Sequence, residues 1–256
     1  MGRRFTWVIV AGVGALLLFA GLDALRSLGG SETAVPTTNL PSTATSTPTV
    51  QDIMELGDFT PLEPGAYVID PDGDPSTPLR VGYEIPAQGW SKGIGAVKFS
   101  DYGHIGVSIT TVTNVVRHGC RDHRPANPPV GPSVDDLATA LGDLAPFRVT
   151  SPPKDVTPHG YSGKYLELTV PDLPFKGFGG DRYFPGCEGH TLMSWIAPLV
   201  GGGFYGYNGE AGRTEEFWIL DAEGSRLVIE ANRSPASPRQ DVAEMRAILR
   251  SIRIEP

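Results

Sequence analysis

Cysteine is nearly absent from this chain. Of 256 residues only Cys120 and Cys187 carry a thiol, and neither lies near the N-terminus. A lipid-modified N-terminal cysteine is therefore excluded. Positive charge is also scarce: the formal net charge is −8. An acidic surface repels phosphate backbones, which argues against nucleic acid as a partner. Several catalytic signatures are missing too. No glycine loop with phosphate-binding spacing is present, so no nucleotide cofactor is expected. Ser162, in Gly160-Tyr-Ser-Gly163, lacks the G-x-S-x-G frame of a nucleophile elbow. Ser151-Pro-Pro-Lys154 matches S-x-x-K by letter, but Pro152 and Pro153 do not continue into the helix that motif needs. No pair of carboxylates stands out for acid–base work, and no fixed-period repeat runs through the chain.

What is present begins at the N-terminus. Arg3 and Arg4 precede residues 5–22, a run without charge that Asp23 ends. A run of that length is about what a helix needs to cross the hydrocarbon core. The next basic residue is Arg26, so the positive-inside rule places residues 1–4 in the cytoplasm and the remainder outside. A cleaved signal peptide is the competing reading, but no small-x-small site follows the run closely: Phe19 and Leu22 occupy the wrong positions. Residues 23–51 are rich in Ser, Thr and Pro and carry little to bury, which describes a disordered linker. The expected organisation is a cytoplasmic stub at 1–4, a transmembrane signal anchor at 5–22, a linker at 23–51 and an extracytoplasmic domain at 52–256.

In the outer domain, 32 glycines and 24 prolines in the whole chain imply short strands and many turns. Alternation predicts strands over residues 65–69, 79–85, 94–99, 104–112, 146–150, 163–170 and 192–196. Residues 215–220 and 225–230 flank Asp221–Gly224 as a hairpin. Ser133-Val-Asp-Asp136 is a capping box opening a helix to about 142. Ser237-Pro-Arg-Gln240 opens a second, to about 251, with Ser237 as N-cap, Pro238 at the first helical position, Gln240 at the third, and Val242, Met245, Leu249 and Ile252 as its apolar stripe. A last short strand follows at Ile252 and Ile254. This pattern predicts an α+β fold: an antiparallel sheet with helices over 133–142 and 238–251 packed on one face, preceded by a transmembrane helix.

Cys120 and Cys187 outside the membrane read as one disulfide closing a loop of 67 residues, worth on the order of 3–4 kcal/mol in the chain-entropy model. Zinc is the sharper alternative. Cys120-Arg-Asp-His123 and Cys187-Glu-Gly-His190 are both C-x-x-H and together offer a tetrahedral set, with His118 to spare. Asp70, Asp72 and Asp74 resemble the start of a calcium loop. Pro75 and Val81 stand where glycine and a bidentate Glu belong, so a solvated turn is the better reading. His104 and His159 could each serve a site. The remaining lead is aromatic: Trp195, Tyr205, Tyr207 and Trp218 are candidate ligand-binding residues, set on strands and glycine-rich loops.

Residues 70–80, His118–His123, Gly131–Leu137, Phe217–Asp221 and Ser251–Ile254 together resemble a family of uncharacterised actinobacterial exported or membrane-anchored proteins. That resemblance covers most of residues 60–256 and implies an extracytoplasmic location and an α+β fold, with no activity attached. The strand–Pro–Gly–Trp start and helix–strand finish are similar to PsbP- or LpqN-like exported domains. Three functions are consistent with the sequence. The first is a membrane-anchored domain that binds or senses an unknown envelope ligand without catalysis. The others are a hydrolase-like envelope enzyme and an assembly module for a protein partner.

Overall fold

The computed structural model describes residues 50–101, 103–174, 176, 183–199, 202–208 and 210–255. The expected anchor at 5–22 and most of the linker lie outside them. Among the described residues no helix is long and apolar enough to cross a membrane.

The strands in chain order are β1 (Gln51–Asp52), β2 (Pro61–Leu62), β3 (Gly65–Ile69), β4 (Arg80–Ile85), β5 (Trp90–Gly93), β6 (Gly95–Ser100), β7 (Gly103–Thr111), β8 (Asn114–His118) and β9 (Asp122–Pro125). After helix α1 (Val134–Gly142) come β10 (Arg148–Val156), β11 (Gly163–Thr169), β12 (Leu192–Leu199), β13 (Gly202–Asn208), β14 (Thr214–Ala222) and β15 (Ser225–Arg233). Helix α2 (Arg239–Ser251) and β16 (Arg253–Glu255) close the chain. The architecture is mostly antiparallel sheet with two helices among the described residues. An eight-stranded sheet runs β10-β11-β14-β15-β7-β6-β5-β2, and two four-stranded sheets run β1-β3-β4-β16 and β13-β12-β8-β9.

Period-2 alternation in the large sheet builds two cores on opposite faces. Leu220, Leu227, Ile229, Ala231, Ile105, Val107 and Ile109 point one way, onto Met245 and Ile248 of α2 and onto β3 and β4. Phe217, Ile219, Val228, Leu166 and Leu168 point the other way, onto Leu137, Ala138 and Leu141 of α1 and onto β8 and β12. The two helices therefore flank the sheet, where the sequence pattern placed both on one face. Helical periodicity shows that a helix has an apolar stripe. It does not show which side of a sheet takes it.

Helix α1 starts as its capping box dictates. Ser133 Oγ accepts from the Asp136 amide at 3.1 Å, and the Ser133 amide donates back to Asp136 Oδ2 at 3.0 Å, a pairing worth about 1 kcal/mol. Helix α2 differs from expectation. Its N-cap is Pro238, with no side-chain cap. The Ser237 amide is used instead in a turn to the Ser234 carbonyl at 3.1 Å, and Gln240 donates to Glu244 at 3.1 Å rather than reaching back to the cap.

Strands β8, β9 and β13 are absent from the sequence pattern. With β12 they form a separate sheet that rests on long-range pairing, such as Trp195 with Val115. Strand β10 runs on through Pro152 and Pro153 because it is the edge of the large sheet, where a missing N–H costs no ladder bond.

Candidate functional site

The site grows from the central strands of the large sheet, on the face that carries α1. Cross-strand register sets Glu230 opposite Ser108 and Asn232 opposite Gly106. It sets Ser108 opposite Gly95 and Gly106 opposite Val97, and Glu215 opposite Asn232. These residues share one face because they share parity with Phe217 and Val228, the apolar positions under α1. Toward β7 and β6 the side chains at these positions shrink to Ser108, Gly106 and Gly95, which leaves room above the sheet. The result is a cavity of about 640 Å³, floored by β6, β7 and β15 and overhung by Trp195 and Gly206 of the β12–β13 hairpin. That volume suits a small-molecule ligand.

Glycine permits the overhang. A Cβ on Gly206 would sit 2.5 Å from Trp195 Nε1 and 2.6 Å from Ser194 Oγ, so the indole lies flush on bare backbone. Gly103 plays a similar part at one rim. Its φ is +113°, and a Cβ there would meet Ser234 Oγ at 2.3 Å and Glu210 Oε1 at 2.8 Å.

The floor is polar and deeply buried. Arg213 lines it, and Glu215 lies behind Arg213 at 3.5 Å, with side chains 1% and 0% exposed. The Arg213 guanidinium also contacts the His104 ring. Trp195 Nε1 donates to Glu230 Oε2 at 2.9 Å, and Asn232 Nδ2 donates to Glu230 Oε1 at 3.2 Å. Burial pushes the Glu215 carboxyl well above the usual range; Glu230 adds to the rise and Arg213 opposes it. Burial also raises Glu230, against the pull of Arg213, Asn232 and Trp195. Both acids thus favour their neutral forms more than a surface glutamate does.

The mouth is aromatic. Phe59 and Phe99 are 65% and 57% exposed, with ring centroids 5.9 Å apart. Phe99 lies 5.9 Å from the His104 ring, which links the mouth to the buried cluster.

The residues named from sequence divide as follows. Trp195 overhangs the cavity. Trp218 faces away, packed beside the α2-side core and tilted against Tyr165 at 5.2 Å. Tyr205 and Tyr207 lie on β13 opposite Ile196 and Met193, and their side chains fall outside the described residues. Cys120 and Cys187 form a disulfide across a separation of 67, buried with Phe184 and Leu192 in a small third core. Their thiols are thus unavailable to the C-x-x-H set with His123 and His190, and His118 Nδ1 accepts from the Cys120 and Arg121 amides at 3.1 Å each. Asp70, Asp72 and Asp74 cap turn amides of Gly73, Asp74 and Ser76. Among the described residues no cluster of acidic, histidine or cysteine side chains has the geometry of a metal site. His104 joins the site. His159 lies in the turn Pro158–Gly160, apart from the cavity lining.

Sequence reasoning missed Arg213, Glu215, Glu230 and Asn232. A signal existed. Glu215 is in phase with Phe217 and Ile219, and Glu230 with Val228, so each carboxyl occupies an inward position of a buried strand. A charge on the core parity of a strand marks a site or a paired cluster.

No family model matches this chain, and neither a curated protein nor a solved structure matches it.

Proposed function

We propose that this chain is a membrane-anchored extracytoplasmic binding protein whose domain takes a small-molecule ligand into the cavity beneath Trp195. One observation carries the reading: a cavity of about 640 Å³ that joins an exposed aromatic mouth to a buried polar floor. An apolar lining with a few fixed polar groups is the usual make-up of a ligand pocket. The location rests on the run at 5–22 behind Arg3 and Arg4, on the Ser/Thr/Pro linker, and on the family resemblance. A Cys120–Cys187 disulfide suits an oxidising compartment.

Binding is favoured over hydrolysis because the buried acids are already engaged. Both oxygens of Glu230 accept bonds from protein donors, and Glu215 is fully buried against Arg213. A general acid or base must reach the substrate's proton, and these carboxyls are aimed at protein groups.

The test is retention of ligand by the full-length chain extracted from its own membranes in mild detergent. Denaturing the purified protein and analysing the released small molecules by mass spectrometry should give one compound near stoichiometric amount. Ser108→Trp, which fills the floor, should lose it. Equal retention by both proteins would sink the cavity reading. In the same preparation, alkaline carbonate should leave the chain in the membrane pellet, and its release to the supernatant would refute the anchor.

A further inference from the structure

We infer that the head group this cavity recognises is a hydrogen-bond donor, a hydroxyl or a protonated amine, received by Oδ1 of Asn232. The inference rests on the binding function proposed above and names the chemistry that the site selects.

Asn232 is 6% exposed and lines the cavity. In the structure Asn232 Nδ2 donates to Glu230 Oε1 at 3.2 Å, and Glu230 in turn accepts from the Trp195 indole at 2.9 Å. With nitrogen committed to Glu230, the oxygen must turn the other way. That oxygen is buried and has no partner within the protein. It projects over Gly106, where a Cβ would come within 3.4 Å of it. The space in front of it is thus kept open by the lack of a side chain on the facing strand. A buried carbonyl oxygen without a donor costs roughly a lost hydrogen bond, and a ligand that supplies a donor recovers that loss on binding.

The charges around it are paired within the protein: Lys92 lies 2.8 Å from Asp58, Arg80 3.5 Å from Asp70 and Arg213 3.5 Å from Glu215. A carboxylate or phosphate head would set an acceptor against the acceptor oxygen of Asn232, whereas an amine or hydroxyl would supply the missing donor. The exposed rings of Phe59 and Phe99 would hold an apolar or aromatic body behind the head.

A matched series isolates the head group: 4-phenylbutylamine, 4-phenylbutanol and 4-phenylbutyrate share one tail. Affinities would be measured on the full-length chain in zwitterionic nanodiscs, with empty discs as blank. The amine, the alcohol or both should bind at least about tenfold more tightly than the carboxylate, the worth of one well-placed hydrogen bond. Asn232→Ala should reduce that preference to within about threefold. Which of the two arms prevails separates a cationic from a hydroxyl head. A carboxylate that binds as tightly as the others overturns the inference without any variant. An unchanged preference in folded Asn232→Ala does the same. If none of the three binds while the wild-type chain still retains a ligand that Ser108→Trp loses, the donor-head inference falls and the cavity reading stands. If Ser108→Trp leaves the affinities unchanged, the cavity reading itself falls.

Discussion

The indole N–H of Trp195 donates to Glu230 at 2.9 Å, joining the sheet that overhangs the cavity to the sheet that floors it. Trp195 is 1% exposed and Glu230 4%. The bond therefore positions the roof and orients the acid, and through the acid it orients Asn232. Trp195→Phe should leave Glu230 Oε2 without that donor and destabilise the domain by about 1–3 kcal/mol. Denaturant unfolding checks this. An unfolding free energy within error of wild type would show that the bond contributes little.

Gly206 controls the same contact sterically. Gly206→Ala places a methyl 2.5 Å from Trp195 Nε1. Overpacking of that kind costs about 1–3 kcal/mol, and here it should also displace the indole. Thermal unfolding should show a lower midpoint together with a shift in tryptophan fluorescence. An unchanged spectrum would mean that the hairpin, and not the indole, gives way.

The buried acids set a pH dependence. A carboxyl held above its ordinary pKa keeps its proton in the folded state at pH values where the unfolded chain has lost it. Stability therefore falls as pH rises through that window. Burial raises both Glu215 and Glu230, with Arg213 the opposing charge. Glu215→Gln cannot ionise, so wild type and variant should have similar stability near pH 4, with wild type falling progressively behind as pH rises above the ordinary glutamate range. Unfolding midpoints across that rise would show a shallower slope for the variant. Parallel slopes would refute the role of Glu215.

A second polar cluster locks α2 to the sheet from the opposite side. Lys98 Nζ lies 2.7 Å from Asp241 and 2.8 Å from Glu244, and Trp90 Nε1 donates to the same Glu244 oxygen at 3.1 Å. The three charged side chains are 10–17% exposed. Lys98→Met would leave two neighbouring carboxylates without their shared cation and should cost about 3 kcal/mol. Because this cluster lies on the α2 side, ligand retention in the folded variant should match wild type. Loss of ligand without loss of stability would contradict the separation of the two clusters.

Local features were the most legible in the sequence. The capping box at Ser133 and Asp136, the hairpin at Asp221–Gly224 and the alternation of residues 79–85 each rest on residues close in the chain. The disulfide was one of two readings of Cys120 and Cys187, and their geometry decides it over the zinc set. The helix at Pro238 was foreseen, but Ser237 does not cap it: Pro238 holds the N-cap position with no side-chain cap. The aromatic reading of the site found Trp195 and also chose Trp218, which parity sends to the other face. Arg213, Glu215, Glu230 and Asn232 stayed unread because each resembles an ordinary polar residue until its strand neighbours are known.

By itself, then, the sequence determined the strands and helices with strong periodicity and the first turn of α1, since these depend on neighbours along the chain. Tertiary structure decided which side of the sheet each helix covers and which inward positions are left uncovered. The cavity exists because Gly95, Gly106 and Ser108 come into register beside Glu230 and Asn232, while α1 packs over β8, β10, β11 and β14. That register joins residues more than 100 positions apart, and only long-range pairing of strands could set it.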